Sequence, residues 1–530
     1  MIQKLFYNEF WKKSKRLTHT QILENEKYLN PSNRSSTIFP IFLNNESETK
    51  IQFLSYWLKN NSEGVVLSFK IRELEGNILH HVYKKLTRYK ANTINISDYL
   101  DNHHNGLCGS IEIEIFTKDK PIYTFPAISL SFINKVSSSV VHSCIRTYNK
   151  REQANNYILS LPQTGFDVDF SDKKRNYICF FGGESKFYEL DIKLTEENND
   201  RTFNIKLKND SYGKAHIIYL EDLVDEEDKK LFNNPKCSIY HDIKDVFPRF
   251  YAGIIDSNFV PSLTHTFFDT SNLLVDNNNL EEHKLRAKNK NPDKFFDAVF
   301  NLPLYPSNEF VSSIKSYKQN LNFEGEAFLS IYSVKGEKLF NKSLSKIEMK
   351  NFCEMSEFNL NELITKSKLS NDCLYSVSFS FLNRKVPFPG RFKLGFNLKR
   401  KIESYGSNIC FSPIIMTENI INKPSCRRWF PLGGLQKYIG SVHNSSFSMK
   451  NIREESFFNL EFINQKGEIF LRKEKILENA SIFINPYYDR ELNQFLGDEG
   501  GWCMVTANTY CINAYYFSMS NRLIGGDHAF

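Results

Sequence analysis

The sequence predicts an all-β protein made of four tandem β-sandwich domains, immunoglobulin-like in architecture, joined by short helical connections. Three observations lead there. Aromatic residues make up 14% of the 530, with 46 Phe and 26 Tyr, and together with frequent Ile and Thr they favour strands over helices. Apolar runs of strand length recur in one order, separated by turn signals. A cysteine and a histidine also return at fixed points of that order.

Residues 1–35 read as an N-terminal extension, with a short helix expected over Tyr7 to Lys15. The first sandwich, 36–150, opens with strands around Ile51–Leu58 and Gly64–Ile71. A turn at Glu73-Leu74-Glu75-Gly76-Asn77 joins the second of these to Ile78–Tyr83 as a hairpin. Thr93–Leu100, Cys108 and a final block with His142 follow. The second sandwich, 151–275, repeats the order with Phe187–Leu194, a turn at Asn198-Asn199-Asp200, His216–Leu223, Cys237 and His265. The third, 276–424, has Ala327–Tyr332, the turn Lys335-Gly336-Glu337, Glu357–Leu363, Cys373 and, in place of histidine, Cys410. The fourth, 425–530, has Phe458–Ile463, the turn Gln465-Lys466-Gly467-Glu468, Ile482–Asn485, Cys503 and His528. The separation from the first common strand to the final block is nearly constant. The period is that of a whole domain, far longer than a solenoid repeat. Helix is expected only in connections: weakly over Arg151–Ser160, and as helix or linker over Glu281–Phe300. Pro303, Pro306 and Pro424 should mark strand boundaries.

Charge and composition narrow the function classes. The balance of 68 basic and 61 acidic residues leaves +7, spread in short groups rather than the concentrated patch of a nucleic-acid binder, so no nucleic acid is expected as partner. The first residues form no signal-peptide core. No run approaches the ~18 apolar residues of a membrane helix. A cytoplasmic protein without a membrane span is the resulting expectation. Ten cysteines without Cys-x-x-Cys spacing read as buried free thiols.

The recurring histidine is the main candidate for chemistry. Period-two geometry places His142 with Val140 and Cys144, and His265 with Leu263 and Phe267, on apolar strand faces. A core histidine bonded to a backbone carbonyl is the commoner outcome for such a position, and a ligand role the sharper one. Cys144 and His142, two residues apart, lie about 6.6 Å from each other on a regular strand, too far for a nucleophile pair. Asp527 and His528 fall on opposite strand faces and cannot orient one another. The pairs His80-His81 and His103-His104 lack metal-ligand spacing, and no phosphate loop, dinucleotide fingerprint or hydrolase elbow occurs, so neither metal nor cofactor is expected.

One further cluster, Arg427-Arg428-Trp429, joins two guanidinium groups to an indole, a combination able to hold an anionic or glycan ligand by paired hydrogen bonds and stacking. At an interdomain joint the same residues would pack the indole and pair the arginines with carboxylates. The sequence thus points to a non-catalytic binding or scaffolding protein, with a glycan, an anionic small molecule or another protein as partner and Arg427, Arg428, Trp429, His142, His265 and His443 as candidate ligand-binding residues. The rival is a carbohydrate-active or metal-assisted enzyme whose site, at a domain junction, draws histidines and arginines from distant parts of the chain.

Overall fold

The computed structural model describes residues 34–59, 65–100, 106–117, 125–148, 162–171, 173–196, 199–232, 234–247, 249–256, 259–268, 286–287, 293–317, 325–346, 348, 357–382, 388–389, 393–402, 406–415, 425–445, 456–509, 511–520 and 522–530. The chain is all-β, in four successive pairs of antiparallel sheets. In repeat one the first sheet runs Arg34–Leu43, Gly106–Phe116, Val65–Glu73, Ile78–Leu86, and the second Ala91–Asn95, Glu48–Leu54, Ile128–Ile133, Ser138–His142. Repeat four has the same order, from Cys426–Leu432 to the edge strand Ile469–Ile476 in one sheet and from Ser481–Ile484 to Gly525–His528 in the other. Repeats two and three keep this plan and add a fifth short strand, Phe267–Phe268 and Ile414–Ile415, to the first sheet. In every repeat the first strand of the second sheet runs into a short helical turn: Ile96–Asp98, Leu220–Asp222, Asn361–Lys366, Pro486–Tyr488.

The recurring cysteines fall at one place in this plan. Cys108, Cys237 and Cys503 lie near the start of the equivalent inner strand, and Cys373 lies just ahead of it, exposed. Nine cysteines are free thiols among the described residues, seven of them buried. The helix candidates fare differently. Tyr7 to Lys15 and Arg151–Ser160 lie outside the described residues. Within Glu281–Phe300, Arg286–Ala287 pairs with Phe388–Pro389, and Ala298–Phe300 begins the strand Ala298–Leu304. Pro303 is inside that strand rather than at its boundary. It is paired there on one side only, by Ser376, while the strand on the other side reaches only Ala298 and Val299, so its missing N–H breaks no ladder bond. Pro306 does follow the strand end, and Pro424 lies outside the described residues.

The four repeats close into a ring. The hairpin turn of one repeat docks on the second sheet of the next: Ala215 N–H donates to the Leu74 carbonyl at 2.8 Å, and Ser481 N–H to the Val334 carbonyl at 2.9 Å. The turn of repeat four comes back to repeat one, where Gln465 Nε2 donates to Thr93 Oγ1 at 2.8 Å. Each of these turns carries a glycine at positive φ, Gly76 at 92°, Gly336 at 88° and Gly467 at 84°. A Cβ there would meet the neighbouring repeat, at 2.6 Å from Ser211 Oγ, 2.5 Å from the Glu478 carbonyl and 3.1 Å from the Tyr89 carbonyl respectively. Between repeats two and three, Thr264 Oγ1 donates to the Asn408 carbonyl at 2.8 Å and Lys315 pairs with Asp167 at 2.9 Å. Apolar packing seals the last joint, with Tyr56 against Trp429 at 5.0 Å between ring centroids.

At the joint of repeats one and two a buried ionic group sits beside apolar packing, where Phe39 stacks on Tyr251 at 5.9 Å between ring centroids. Glu112 and Glu114 meet Arg34, Lys70 and Arg72, and Tyr212 of repeat two donates to Glu112 at 3.0 Å. Burial alone would push both carboxyls up; the Lys70 charge, with Arg72 and Arg34 around Glu112 and Arg34 beside Glu114, overcomes it and holds both below the usual carboxylate range. Their folded values being depressed, the stability they supply is complete above the ordinary glutamate value and is lost as pH falls through the folded one.

Two predictions follow from the joints. Gly336→Ala, which forces a side chain into both a left-handed turn and the next repeat, should cost about 1–3 kcal/mol in urea unfolding, more than the same change at exposed, uncrowded Gly497; equal costs would detach the turn from the joint. Glu112→Gln should lower stability at neutral pH by roughly 3–5 kcal/mol and flatten the loss of stability on acidification below the glutamate range. An acid slope matching the parent chain would exclude the ionic group as its source.

Candidate functional site

The last strands of the second sheets, Ser138–His142, Thr264–His265, Ser407–Phe411 and Gly525–His528, face one another in the middle of the ring. The approach is close. A Cβ on Gly525 would lie 2.8 Å from backbone atoms of Ser139 and Val140, and one on Gly526 3.2 Å from Ile409. Because these strands are equivalent, the equivalent residue of each is carried toward one centre. Three of the four are histidines.

His142, His265 and His528, with Asp527, each offer a ligand-type atom, and these atoms all lie within 4.8 Å of one another. The His142 ring is 4.5 Å from the rings of both His265 and His528, centroid to centroid. Asp527 Oδ2 accepts from the His142 backbone N–H and from its Nδ1–H, both at 2.7 Å, and Oδ1 accepts from the His528 N–H at 2.8 Å. His265 Nδ1 donates to the Thr266 carbonyl at 2.8 Å, and His528 Nδ1 to the Ala529 carbonyl at 3.1 Å. Carbonyl and carboxylate oxygens only accept, so each Nδ1 carries its proton, and a neutral ring so held keeps its lone pair at Nε2. The Thr266 carbonyl also accepts from the Arg249 guanidinium.

Burial sets the charge of the site. It would push the Asp527 carboxyl up, but the facing His142, with His528 and His265, holds it well below the usual range. Burial, reinforced by His142, keeps His265 far below its ordinary value and lowers His528 to about 3. The cluster therefore holds an ionised carboxylate and two neutral imidazoles at neutral pH. His142 is 14% exposed, and His528 is partly exposed, so the centre is reached from solvent. Burial raises the Cys144 thiol well above its usual value, which leaves it inert beside His142.

The other candidates sit elsewhere. His443 is fully buried at the joint of repeats three and four, its Nδ1 bonded to Ser376 Oγ at 2.9 Å and Ser481 Oγ at 2.7 Å. Trp429 is buried against Tyr56, so its indole forms part of the joint between repeats four and one. Arg427 is exposed and Arg428 half-buried, with Arg428 donating to the Arg427 carbonyl at 3.0 Å. His80 and His81 lie exposed on an edge strand, and His103-His104 lies outside the described residues.

Sequence reasoning set Asp527 aside because it cannot face His528 on a regular strand. It orients the histidine of repeat one instead, across the ring centre. The signal lay in the repeat: residues at one register of a closed ring converge, and the Asp-His pair occupies that register in repeat four. Arg249, near the centre, carried no such signal.

No protein-family model matches this chain, and no curated protein sequence does. Among solved structures, one described as "Biofilm associated protein - BSP domain" aligns over 94% of this chain and 97% of its own, at 10% identity and a TM-score of 0.14. "Crystal structure of tetra-tandem repeat in extending region of large adhesion protein" aligns over 88% and 91%, at 8% identity and a TM-score of 0.10. At such TM-scores neither superposition bears on function, and the fold rests on this chain's own strands.

Proposed function

We propose that this is a non-catalytic binding or scaffolding protein, a rigid four-module ring that engages an anionic, glycan-type partner along its rim. The observation that carries the reading is the common outer edge. Each repeat ends its first sheet in an exposed strand, Ile78–Leu86, Asn199–Lys208, Lys338–Leu344 and Ile469–Ile476. Each of these presents exposed lysines: Lys84 and Lys85, Lys206 and Lys208, Lys338 and Lys342, Lys473 and Lys475. Lysine on an edge strand also blocks unwanted pairing between sheets, and that role alone explains one edge. Aromatic side chains beneath the charges, as with Lys206 over Phe187 and Lys473 over Phe457, form surfaces suited to a sugar ring bearing a negative group. Exposed pairs such as Lys206 with Glu189 and Lys208 with Asp210 are worth little and are readily exchanged for a ligand. Fixed modules turn weak single contacts into avidity. Arg427 and Arg428 are a second basic element for the same class of ligand.

Among the described residues no helix is long and apolar enough to cross a membrane. The buried free thiols support a reducing, cytoplasmic setting. A metal-assisted enzyme is the second reading, favoured by the histidine cluster alone.

An array of sulfated, carboxylated and neutral glycans, probed with the full chain, tests the first reading. Binding is expected on anionic glycans, with a modest loss for Lys84→Glu/Lys85→Glu and a total loss of about 100-fold or more once Lys473→Glu/Lys475→Glu is added. No binding to any anionic glycan, or binding indifferent to both reversals, overturns it; a loss confined to Arg427→Ala/Arg428→Ala moves the site to that pair.

A further inference from the structure

We propose that the centre of the ring binds one divalent transition-metal ion of zinc's class through Nε2 of His142, His265 and His528, tying repeats one, two and four together. This goes beyond the rim reading and does not depend on it. Three features carry it. First, the ligand set comes from three repeats, and one ring nitrogen of each histidine already lies within 4.8 Å of the others and of an Asp527 oxygen. Tetrahedral coordination with Zn–N bonds of about 2.0–2.1 Å places nitrogens roughly 3.4 Å apart, so the rings must turn or close to bring their Nε2 atoms to that spacing.

Second, each Nδ1 is committed to an oxygen, the carboxylate of Asp527 or the carbonyls of Thr266 and Ala529. That is the outer arrangement by which metal-bound histidines are held in one tautomer with Nε2 turned to the ion. Asp527 is assigned to this outer role because both its oxygens are already engaged, by one ring N–H and two backbone N–H groups. Third, His265 Nε2 is buried and without a hydrogen-bond partner. The Arg249 guanidinium nearby donates to the Thr266 carbonyl, and the cluster groups around His265 include the Asp527 carboxylate and further ring nitrogens. Acceptors gathered in this way repel one another, and a cation turns that repulsion into bonding. Imidazole suits zinc and its neighbours rather than magnesium or calcium, which take oxygen. Three protein ligands leave a fourth position for water or a small anion on the solvent-reached side of His142 and His528.

The full chain, stripped with a chelator and dialysed, would be titrated with Zn²⁺ and separately with Co²⁺. One equivalent should bind, raising the melting temperature, and cobalt should give the visible spectrum of a four-coordinate site. His265→Ala and His528→Ala should abolish stoichiometric binding. Asp527→Asn should weaken it about 10- to 100-fold while keeping the cobalt spectrum, which a merely structural role for Asp527 would not require. His80→Ala/His81→Ala, on the exposed edge, should change nothing. Where a centre variant fails to fold, the parent chain decides: absence of a stoichiometric site for either ion overturns the proposal. Binding that disappears with His80 and His81 overturns it as well, as a surface effect. Anionic-glycan binding is read without added metal, so either proposal can fail alone.

Discussion

The constraint on which the architecture depends is a glycine-sized contact, the point where a hairpin turn of one repeat presses against the backbone of the next. At Gly76, Gly336 and Gly467 the turn needs a left-handed residue, and the neighbour leaves no space for a Cβ at the first two and only a tight fit, 3.1 Å from the Tyr89 carbonyl, at the third. One residue type meets both demands. In repeats one, three and four the same patch of the module meets a different patch of its neighbour, a head-to-tail contact whose fixed rotation either closes a ring or runs on without end. Here repeat four returns to repeat one, through Gln465 and Thr93 and through Trp429 and Tyr56, so the rotation closes. The corresponding turn of repeat two differs, with Glu196 paired directly to Asn199, and its joint with repeat three is made by Asp167, Lys315 and Asn408.

Closure has a chemical consequence. In an open chain of modules the residue at one register of the last strand would appear in separate sheets, tens of ångströms apart. In a closed ring it appears at one centre. Four histidines there would crowd four rings and their lone pairs around an axis with no counter-charge. The chain departs from symmetry at two points that relieve this. Repeat three supplies Cys410, small and apolar, which packs with Phe267 and Tyr317, and repeat four supplies Asp527 beside its histidine. The carboxylate fixes His142 and balances whatever positive charge the centre takes up.

Much of this was legible in the residues. Strand content, the module, the hairpin turns of repeats one, three and four and the equivalence of Cys108, Cys237, Cys373 and Cys503 follow from local pattern, because turn chemistry and period-two burial are local; in repeat two Asn199 and Asp200, expected in the turn, already pair as strand with Glu196 and Thr195. Pro303 misled because a proline's cost depends on which side of the strand is paired, a property of the sheet. Trp429 and Arg427 looked like one surface cluster, yet the neighbouring repeat covers the indole and leaves the guanidinium exposed. Asp527 was discounted by a correct argument about a single strand that did not extend to the strand across the axis. Whatever depends on how modules meet is absent from any one module's sequence, and it became readable only once the repeat was taken to imply a shared centre.

The rim and the centre answer to different physics, which is why one chain can carry both proposals. At the centre, burial drives ionisable groups to fixed states, and a one-residue change alters a packed contact among three repeats. At the rim, strands are exposed and their side chains have diverged: His80-His81 and Tyr83 on one edge, Phe203 on another, Phe470 and Arg472 on a third. What the edges retain in common is exposed positive charge, not shape. A partner selected by shape would need four different grooves; one selected by regularly spaced negative charge needs only lysines held at the ring's intervals, and the rigidity that holds them comes from the closed joints rather than from the rim itself.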